Sequence, residues 1–410
     1  MAASHNIDAD WLRRPATQAV FGALERAGHE ARVVGGAVRN ALIGKDVSDI
    51  DIATPALPEQ VIAAAQAAGL AVVPTGLKHG TVTVISDGVP HEVTTLRHDV
   101  ETDGRHAVVA FSADWAQDAA RRDFTINALY CDRSGVVFDP LGGLDDLDAR
   151  RVRFIGDPHD RIREDYLRIL RFFRFSAEYA VGPFDAAGLA AAGQLRDGLR
   201  DLSAERIRAE FVKLLVAPRA VDAIDVMVAH GFLSPMLGLA PSPSLLRRLV
   251  EIEADASRKP DPMFRLGLLA VGVVEHAGWL AKHLRLSGDE KADLLSIAAG
   301  SDGPGAYNST EARAAIYREG SRAFVLRALS AAARAEASEA TRIIALVRDV
   351  ADWKPPGLPI SGRDLIALGH APGPAMGEVL RAVELSWIAS DFAASREQLL
   401  RDVPRPTGAT

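Results

Sequence analysis

The sequence predicts an α+β head followed by an all-helical remainder, and three observations carry that expectation. Strand-forming runs crowd the first third of the 410 residues. Two of them flank the dipeptide Asp87-Gly88, a short-range hairpin signal. From about Asp157 onward, runs rich in alanine, leucine and arginine repeat with helical period.

The strand signals are ARVVGG (31–36), DIDIAT (49–54), LAVVPTG (70–76), GTVTVIS (80–86) and PHEVTTLR (90–97), rich in β-branched residues. Helices interleave over 37–43 and 57–69, where Pro58 suits a first helical turn and Gly69 suits the end. Later helical runs are broken by GPFDAAG (182–188), APSPS (240–244), the glycine-containing stretch 301–306 and KPPGLPISG (354–362). No repeat of fixed period stands out, and the alanine-rich LSAAARAEASEA (329–340) reads as an ordinary surface helix.

Composition sets the class. A chain of 410 residues exceeds one ordinary core, so roughly two to four domains are expected. A net charge of −7 argues against a protein that coats nucleic acid non-specifically, so any nucleic-acid site must be a focused basic surface. The single cysteine, Cys131, rules out an internal disulfide and leaves a zinc cluster without thiolate partners, which fits a reducing cytosol. The N-terminal MAASHNIDADWLRRP has no apolar signal core. No stretch approaches the roughly 18 uncharged apolar residues of a spanning helix, so the expected location is cytoplasmic, with no membrane contact.

The chemistry gathers first in VGGAVRNALIGKDVSDID (34–51). Gly35 and Gly36 fall where a strand turns into a helix, so backbone N–H groups can approach a phosphate without side-chain obstruction. In an extended strand Asp49 and Asp51 project to one face while Ile50 and Ile52 enter the core. Two carboxylates this close repel each other unless a cation sits between them. Hard oxygen ligands at this spacing suit Mg2+, which keeps waters and substrate phosphates as its other ligands. Glu92, on the second arm of the hairpin, can supply a third carboxylate. Taken alone, the same D-x-D also fits a solvated strand end.

The order strand, Gly-Gly, helix with Arg39, then D-x-D resembles the nucleotidyltransferase superfamily of DNA polymerase beta. Downstream, HEVTTLR (91–97), RRDFTINALY (121–130), DPLGGLDDL (139–147) and RIREDYLRILRFFRF (161–175) follow in the order of the class II tRNA nucleotidyltransferase (CCA-adding) and bacterial poly(A) polymerase family. The similarity runs from about Arg32 to Ala177, and LRLSGDE (284–290) and DLIALGHAPGPAMGEVLRAVE (364–384) resemble that family's tail. One departure is Asn40, where the family more often carries aspartate.

The resemblance implies nucleotidyl transfer: the 3′-hydroxyl of a tRNA attacks the α-phosphate of CTP or ATP and releases pyrophosphate. It makes Asp49 and Asp51 the holders of two Mg2+ ions. Arg39 and Arg122 bracket the triphosphate, Asp123 and Asn127 lie near the ribose, and Arg171 is grouped with the nucleotide-binding residues. It also implies four regions: a catalytic head (1–148), a base-selecting neck (149–215), a helical body (216–300) and a tRNA-binding tail (301–410). Residues 97–107 resemble the family's flexible loop. The family leaves a poly(A) polymerase, a partial enzyme adding only CC or only A, and an inactive RNA-binding relative as alternatives.

The residues of these motifs also have readings of their own. AARRDFTINAL (119–129) reads as a packed helix start with Asp123 near its positive end. The 160–177 segment reads as one helix with a core stripe of Ile162, Tyr166, Ile169, Leu170, Phe173 and Ala177. Its other face carries Arg161, Glu164, Asp165, Arg168 and Arg171, which suits a solvated ion-paired surface. That face also suits base reading. Asp165 only accepts and Arg168 only donates, and cytosine and adenine each present an amino donor beside a ring acceptor, whereas uracil and guanine reverse both. Asp139, Asp145 and Asp146 read as turn and cap residues, and Trp353 as packing at a junction.

Overall fold

A computed structural model of the chain describes residues 5–103, 106–300 and 307–405. Gly104 and Arg105 within the expected flexible loop, and the predicted breaker at 301–306, lie outside the described residues. The backbone divides into two compact units, Met1–Met236 and Leu237–Thr410.

The first unit is built on strands β1 (Arg32–Val34), β2 (Asp51–Thr54), β3 (Ala71–Gly76), β4 (Thr81–Ser86), β5 (Val89–Thr95), β6 (Arg97–Asp103), β7 (His106–Phe111), β8 (Tyr130–Cys131) and β9 (Val137–Phe138). Seven of them form one sheet in the order β3-β4-β5-β2-β1-β8-β9. All five predicted strands are present. β4 alternates half-buried and buried residues, and Asp87 and Gly88 turn it into β5 with φ of +49° and +75°, values suited to a type I′ turn. β2 and β5 pair in parallel, which sets Asp51 opposite Glu92. Helices Pro15–Arg26 and Pro58–Ala67 cover the sheet with Val20, Phe21, Leu24, Val61 and Ala65, all buried.

Four local features differ from the sequence reading. β8 and β9 are two residues each, too short to leave an alternating pattern. Arg97–Asp103 and His106–Phe111 pair as the two-stranded ribbon β6–β7, separate from the main sheet, where the resemblance implies a flexible loop over 97–107. Gly80, with φ +77°, lies at the root of this ribbon, and a β-carbon there would stand 2.8 Å from Phe111. TIN (125–127) is a single 3-10 turn, so Asp123 does not open an α-helix. The 160–177 segment is two helices, Pro158–Glu164 and Leu167–Tyr179, because Asp165 is extended (φ −158°, ψ 107°).

The break has local causes. The Asp165 carboxylate accepts from the Leu167 N–H at 3.1 Å, offering the backbone an alternative to helix. Tyr166 packs on Gly198, where even a β-carbon would fall 2.1 Å from its ring. The predicted stripe is otherwise buried at Ile162, Ile169, Leu170, Phe173 and Ala177, with Tyr166 half-buried. Phe172 and Phe175 of the second helix join Phe124 and Phe154 in an aromatic cluster with ring centroids about 5 Å apart, which fastens the helix to the sheet domain.

The second unit is helical. Several helices open with capping boxes, Ser287 with Glu290, Asn308 with Glu311, Ser361 with Asp364 and Ser395 with Gln398. Ile360, Leu365, Val383, Trp387, Leu399 and Val403 form a core at its C-terminal end. Trp353 packs there against Phe392 at 5.0 Å. Among the described residues no helix is long and apolar enough to cross a membrane.

Candidate active site

The first unit holds a cavity of about 790 Å³. Its walls contain every predicted site residue except Glu92: Gly35, Gly36, Arg39, Asp49, Asp51, Arg122, Asp123, Asn127, Asp165, Arg168 and Arg171. Sequence reading did not single out Arg97, Arg121, Leu167, Arg174, Phe175 and Arg206, which complete the lining. Eight arginines against four aspartates in one cavity make a focused positive site on an acidic protein.

The carboxylate corner comes from the end of β2. Ile50 and Ile52 are buried while Asp49 and Asp51 are exposed, as the alternation demands. Asp49 lies just before the strand and accepts a hydrogen bond from Ser48 Oγ at 2.9 Å. Desolvation by the surroundings, then Glu92 and Asp49, push the Asp51 carboxyl above its usual range, with Arg122 opposing. A bound cation would relieve that repulsion, so the donor set fits a divalent metal. Among the described residues no three His, Cys, Asp or Glu side chains gather closely enough to hold an ion by themselves. The protein thus offers two carboxylates at the cavity, and phosphate oxygens and water would complete the shell.

Beside this corner Gly35 turns β1 into helix Gly36–Leu42 with φ +73°, a conformation that favours glycine. Arg39, in that helix, is buried, and burial pulls its guanidinium below the usual arginine value. Its Nε and Nη2 donate to Asn40 Oδ1 at 3.1 and 2.9 Å, Nη1 donates to Asn127 Oδ1, and Nη2 donates to Tyr179 Oη at 2.7 Å. The Tyr179 ring also lies 4.0 Å below the guanidinium. Four of its five N–H groups are thereby used, so Arg39 ties helix Gly36–Leu42 to helix Leu167–Tyr179 and has little left for a triphosphate.

Arg122 is freer. Burial would lower its pKa, but Asp118 outweighs that and raises it. Asp118, 1 % exposed, holds Arg122 at 3.0 Å and Arg121 at 2.8 Å and accepts from Tyr130 Oη at 2.8 Å. Asp118 was the missed keystone of this wall. Its only sequence signal was a position three and four residues ahead of two arginines.

Asp123 is buried, and burial alone would raise its pKa. Arg171 and Asn127 instead hold it below the usual carboxylate range. It accepts from Asn127 Nδ2 at 2.9 Å and pairs with Arg171 at 2.6 Å. Arg171 and Arg174 in turn face buried Glu210. On the opposite wall Asp165 pairs with Arg206 at 2.7 Å. Arg168 pairs with Glu164 and donates to the Arg161 carbonyl at 2.9 Å. Asp139, by contrast, accepts from the N–H groups of Gly143 and Leu144 at 2.8 and 2.9 Å, as a cap does. Asp146 is buried between Arg151 and Arg153.

A carboxylate pair at a strand end, beside a glycine turn and a cavity lined by eight arginines, has the make-up of a nucleotidyltransferase head. Residues 31–153 match the model of the poly A polymerase head domain, and residues 185–244 match that of a probable RNA and SrmB- binding site of polymerase A. The mitochondrial CCA tRNA nucleotidyltransferase 1 of Mus musculus is 35% identical over 380 residues, covering 91% of this chain and 86% of that protein. The CCA-adding enzyme of Geobacillus thermodenitrificans (strain NG80-2) is 38% identical over 55% of each chain. The crystal structure of Bacillus stearothermophilus CCA-adding enzyme in complex with CTP superimposes with a TM-score of 0.75 at 28% identity, covering 95% of this chain and 96% of that one. The chain belongs to the tRNA nucleotidyltransferase and poly(A) polymerase family.

Proposed function

We propose that this protein adds C, C and A to the 3′ end of tRNA from CTP and ATP, with no nucleic-acid template. The observation that carries this reading is the single cavity in which Asp49 and Asp51 face an arginine wall and the Asp165–Arg168 pair. Arg122, backed by Asp118, binds the triphosphate, its planar fork matching phosphate oxygens. Asp123 and Asn127, fixed to each other, sit where the ribose would lie. Asp165 accepts from the exocyclic amino group of cytosine or adenine and Arg168 donates to the neighbouring ring acceptor. Mg2+ held by Asp49 and Asp51 would activate the attacking 3′-hydroxyl and neutralise charge on the departing pyrophosphate.

In the four-region division, base selection belongs to the neck (149–215) and tRNA binding to the tail (301–410). The cytoplasm is the proposed compartment, although the mouse relative is mitochondrial. Incubating the protein with Mg2+, all four nucleotides and tRNAs ending before the first C, after CC, or after CCA, with products resolved nucleotide by nucleotide, tests the activity. Growth of each incomplete tRNA to CCA and no further is expected. A ladder of adenylates would identify a poly(A) polymerase, a stop after CC a partial enzyme, and no extension an inactive relative.

A further inference from the structure

Resting on the base-reading role of Asp165, the geometry points to Arg206 as a positioning residue for nucleotide specificity. Asp165 stands at a helix break, where its torsions are not fixed by a helical ladder. Its carboxylate is oriented from two sides. Oδ1 accepts from the Leu167 N–H at 3.1 Å, and Oδ2 accepts from Arg206 Nη2 at 2.7 Å. Each oxygen has two lone pairs, so this clamp leaves one on each for an exocyclic amino group.

Arg206 comes from a separate helix, Ala204–Leu215, and its side chain is 26% exposed beside the 24% exposed Asp165, both on the cavity wall. One turn further on the same helix, Glu210 engages Arg171 and Arg174 of the neck helix. Spacing of four puts Arg206 and Glu210 on one face, so a single helix backs the base-reading wall at two points. An ion pair that served only to join helices would have no need to lie in the cavity lining. Here the guanidinium aims the acceptor that distinguishes an amino group from a carbonyl.

The test compares kcat/KM for CTP and UTP on a tRNA lacking its terminal CCA, and for ATP and GTP on the same tRNA ending in CC. The proteins are wild type, Arg206→Ala, Arg206→Lys, Asp165→Ala and the double Asp165→Ala/Arg206→Ala, each with its melting temperature. Loss of one charge-assisted bond predicts that Arg206→Ala narrows the CTP-over-UTP and ATP-over-GTP ratios by about tenfold. Arg206→Lys should restore most of the discrimination, and Arg206→Ala should add nothing in the Asp165→Ala background. If Asp165→Ala collapses the ratios while Arg206→Ala leaves them intact, the proposal is overturned and base reading by Asp165 survives. If Asp165→Ala leaves the ratios intact, the base-reading function itself fails and the proposal with it. Should Arg206→Ala not fold, Arg206→Met, which keeps much of the side-chain volume without a donor or charge, decides: ratios narrowed toward the Asp165→Ala values would support the proposal, and wild-type ratios would overturn it.

Discussion

The head wall and the neck wall of the cavity treat their charged groups in opposite ways. On the head wall the Asp49 carboxylate has one hydroxyl partner, and among the described residues the Asp51 carboxylate has no side-chain hydrogen bond or ion pair, while Glu92 and Asp49 crowd it. On the neck wall Asp165, Arg168 and Arg171 each have an ion-pair partner from the protein itself. Uncompensated carboxylates suit the cation site proposed for them, whereas compensated groups hold a fixed shape. In the proposed function the head wall binds charge and the neck wall presents a pattern.

The largest expected effect breaks the head wall. Asp49→Ala or Asp51→Ala should lower kcat by at least about a thousandfold, since the metal ligation proposed for them would be worth several kcal/mol in the transition state. Both side chains are exposed and without a protein cation partner, so stability should change by no more than about 0.5 kcal/mol. Steady-state kinetics at saturating Mg2+ together with urea unfolding check the pair of outcomes. Wild-type turnover in either variant would remove the carboxylates from the mechanism.

The next effect lies beneath the head wall, where the pattern reverses. Asp118 is buried and saturated by Arg121, Arg122 and Tyr130. Asp118→Ala strands two partly buried guanidiniums, which predicts a loss of about 3 to 5 kcal/mol in chemical denaturation, the opposite of the Asp51 result. Burial would raise its pKa, but Arg122, Arg121 and the Tyr130 hydroxyl outweigh burial and hold it below the usual carboxylate value. A depressed folded pKa means that this stabilisation is intact above the unfolded value near about 3.9 and is lost as pH falls through the folded one. Stability of the wild type should therefore drop steeply in that acid window, and more gently in Asp118→Asn. Equal acid slopes in the two proteins would mean that Asp118 carries none of the pH dependence.

The contrast between the walls also explains what was legible in the sequence. Asp49, Asp51, Gly35 and Gly36 lie within seventeen residues of one another, and strand alternation alone put both carboxylates on one side. The hairpin followed from Asp87-Gly88, and parallel pairing then set Glu92 opposite Asp51. The neck wall depends on partners far apart in the chain. Arg206 is 41 residues from Asp165, and Asp123 is 48 from Arg171, so no spacing rule announces either pair. The helix break at Asp165 was hidden because the apolar period continues across it, from Ile162 to Ile169. What stops the helix is an Asx-type hydrogen bond and the ring of Tyr166 seated on Gly198. Arg39, which the family resemblance assigned to the triphosphate, is mostly consumed by Asn40, Asn127 and Tyr179, a saturation seen only once the chain is folded.

The smallest expected effect sharpens the comparison at the point where the walls meet. Asn40 stands where the family more often carries aspartate, and its Oδ1 accepts both the Nε and Nη2 bonds of Arg39. Its Nδ2 also donates to the Asp46 carbonyl at 3.0 Å, a bond that a carboxylate cannot make. Asn40→Asp exchanges that neutral bond for a charge-assisted grip on a buried guanidinium. Each change is worth about 1 kcal/mol with opposite sign, so stability should move by less than about 1 kcal/mol. Because Arg39 keeps Asn127 and Tyr179 in either case, kcat/KM for CTP and ATP should change by no more than about threefold. Thermal melting and the two kcat/KM values decide it. A tenfold change in either kcat/KM at unchanged melting temperature would mean that Arg39 acts on the nucleotide directly, placing it with Arg122 on the binding wall instead of in the frame that joins the two.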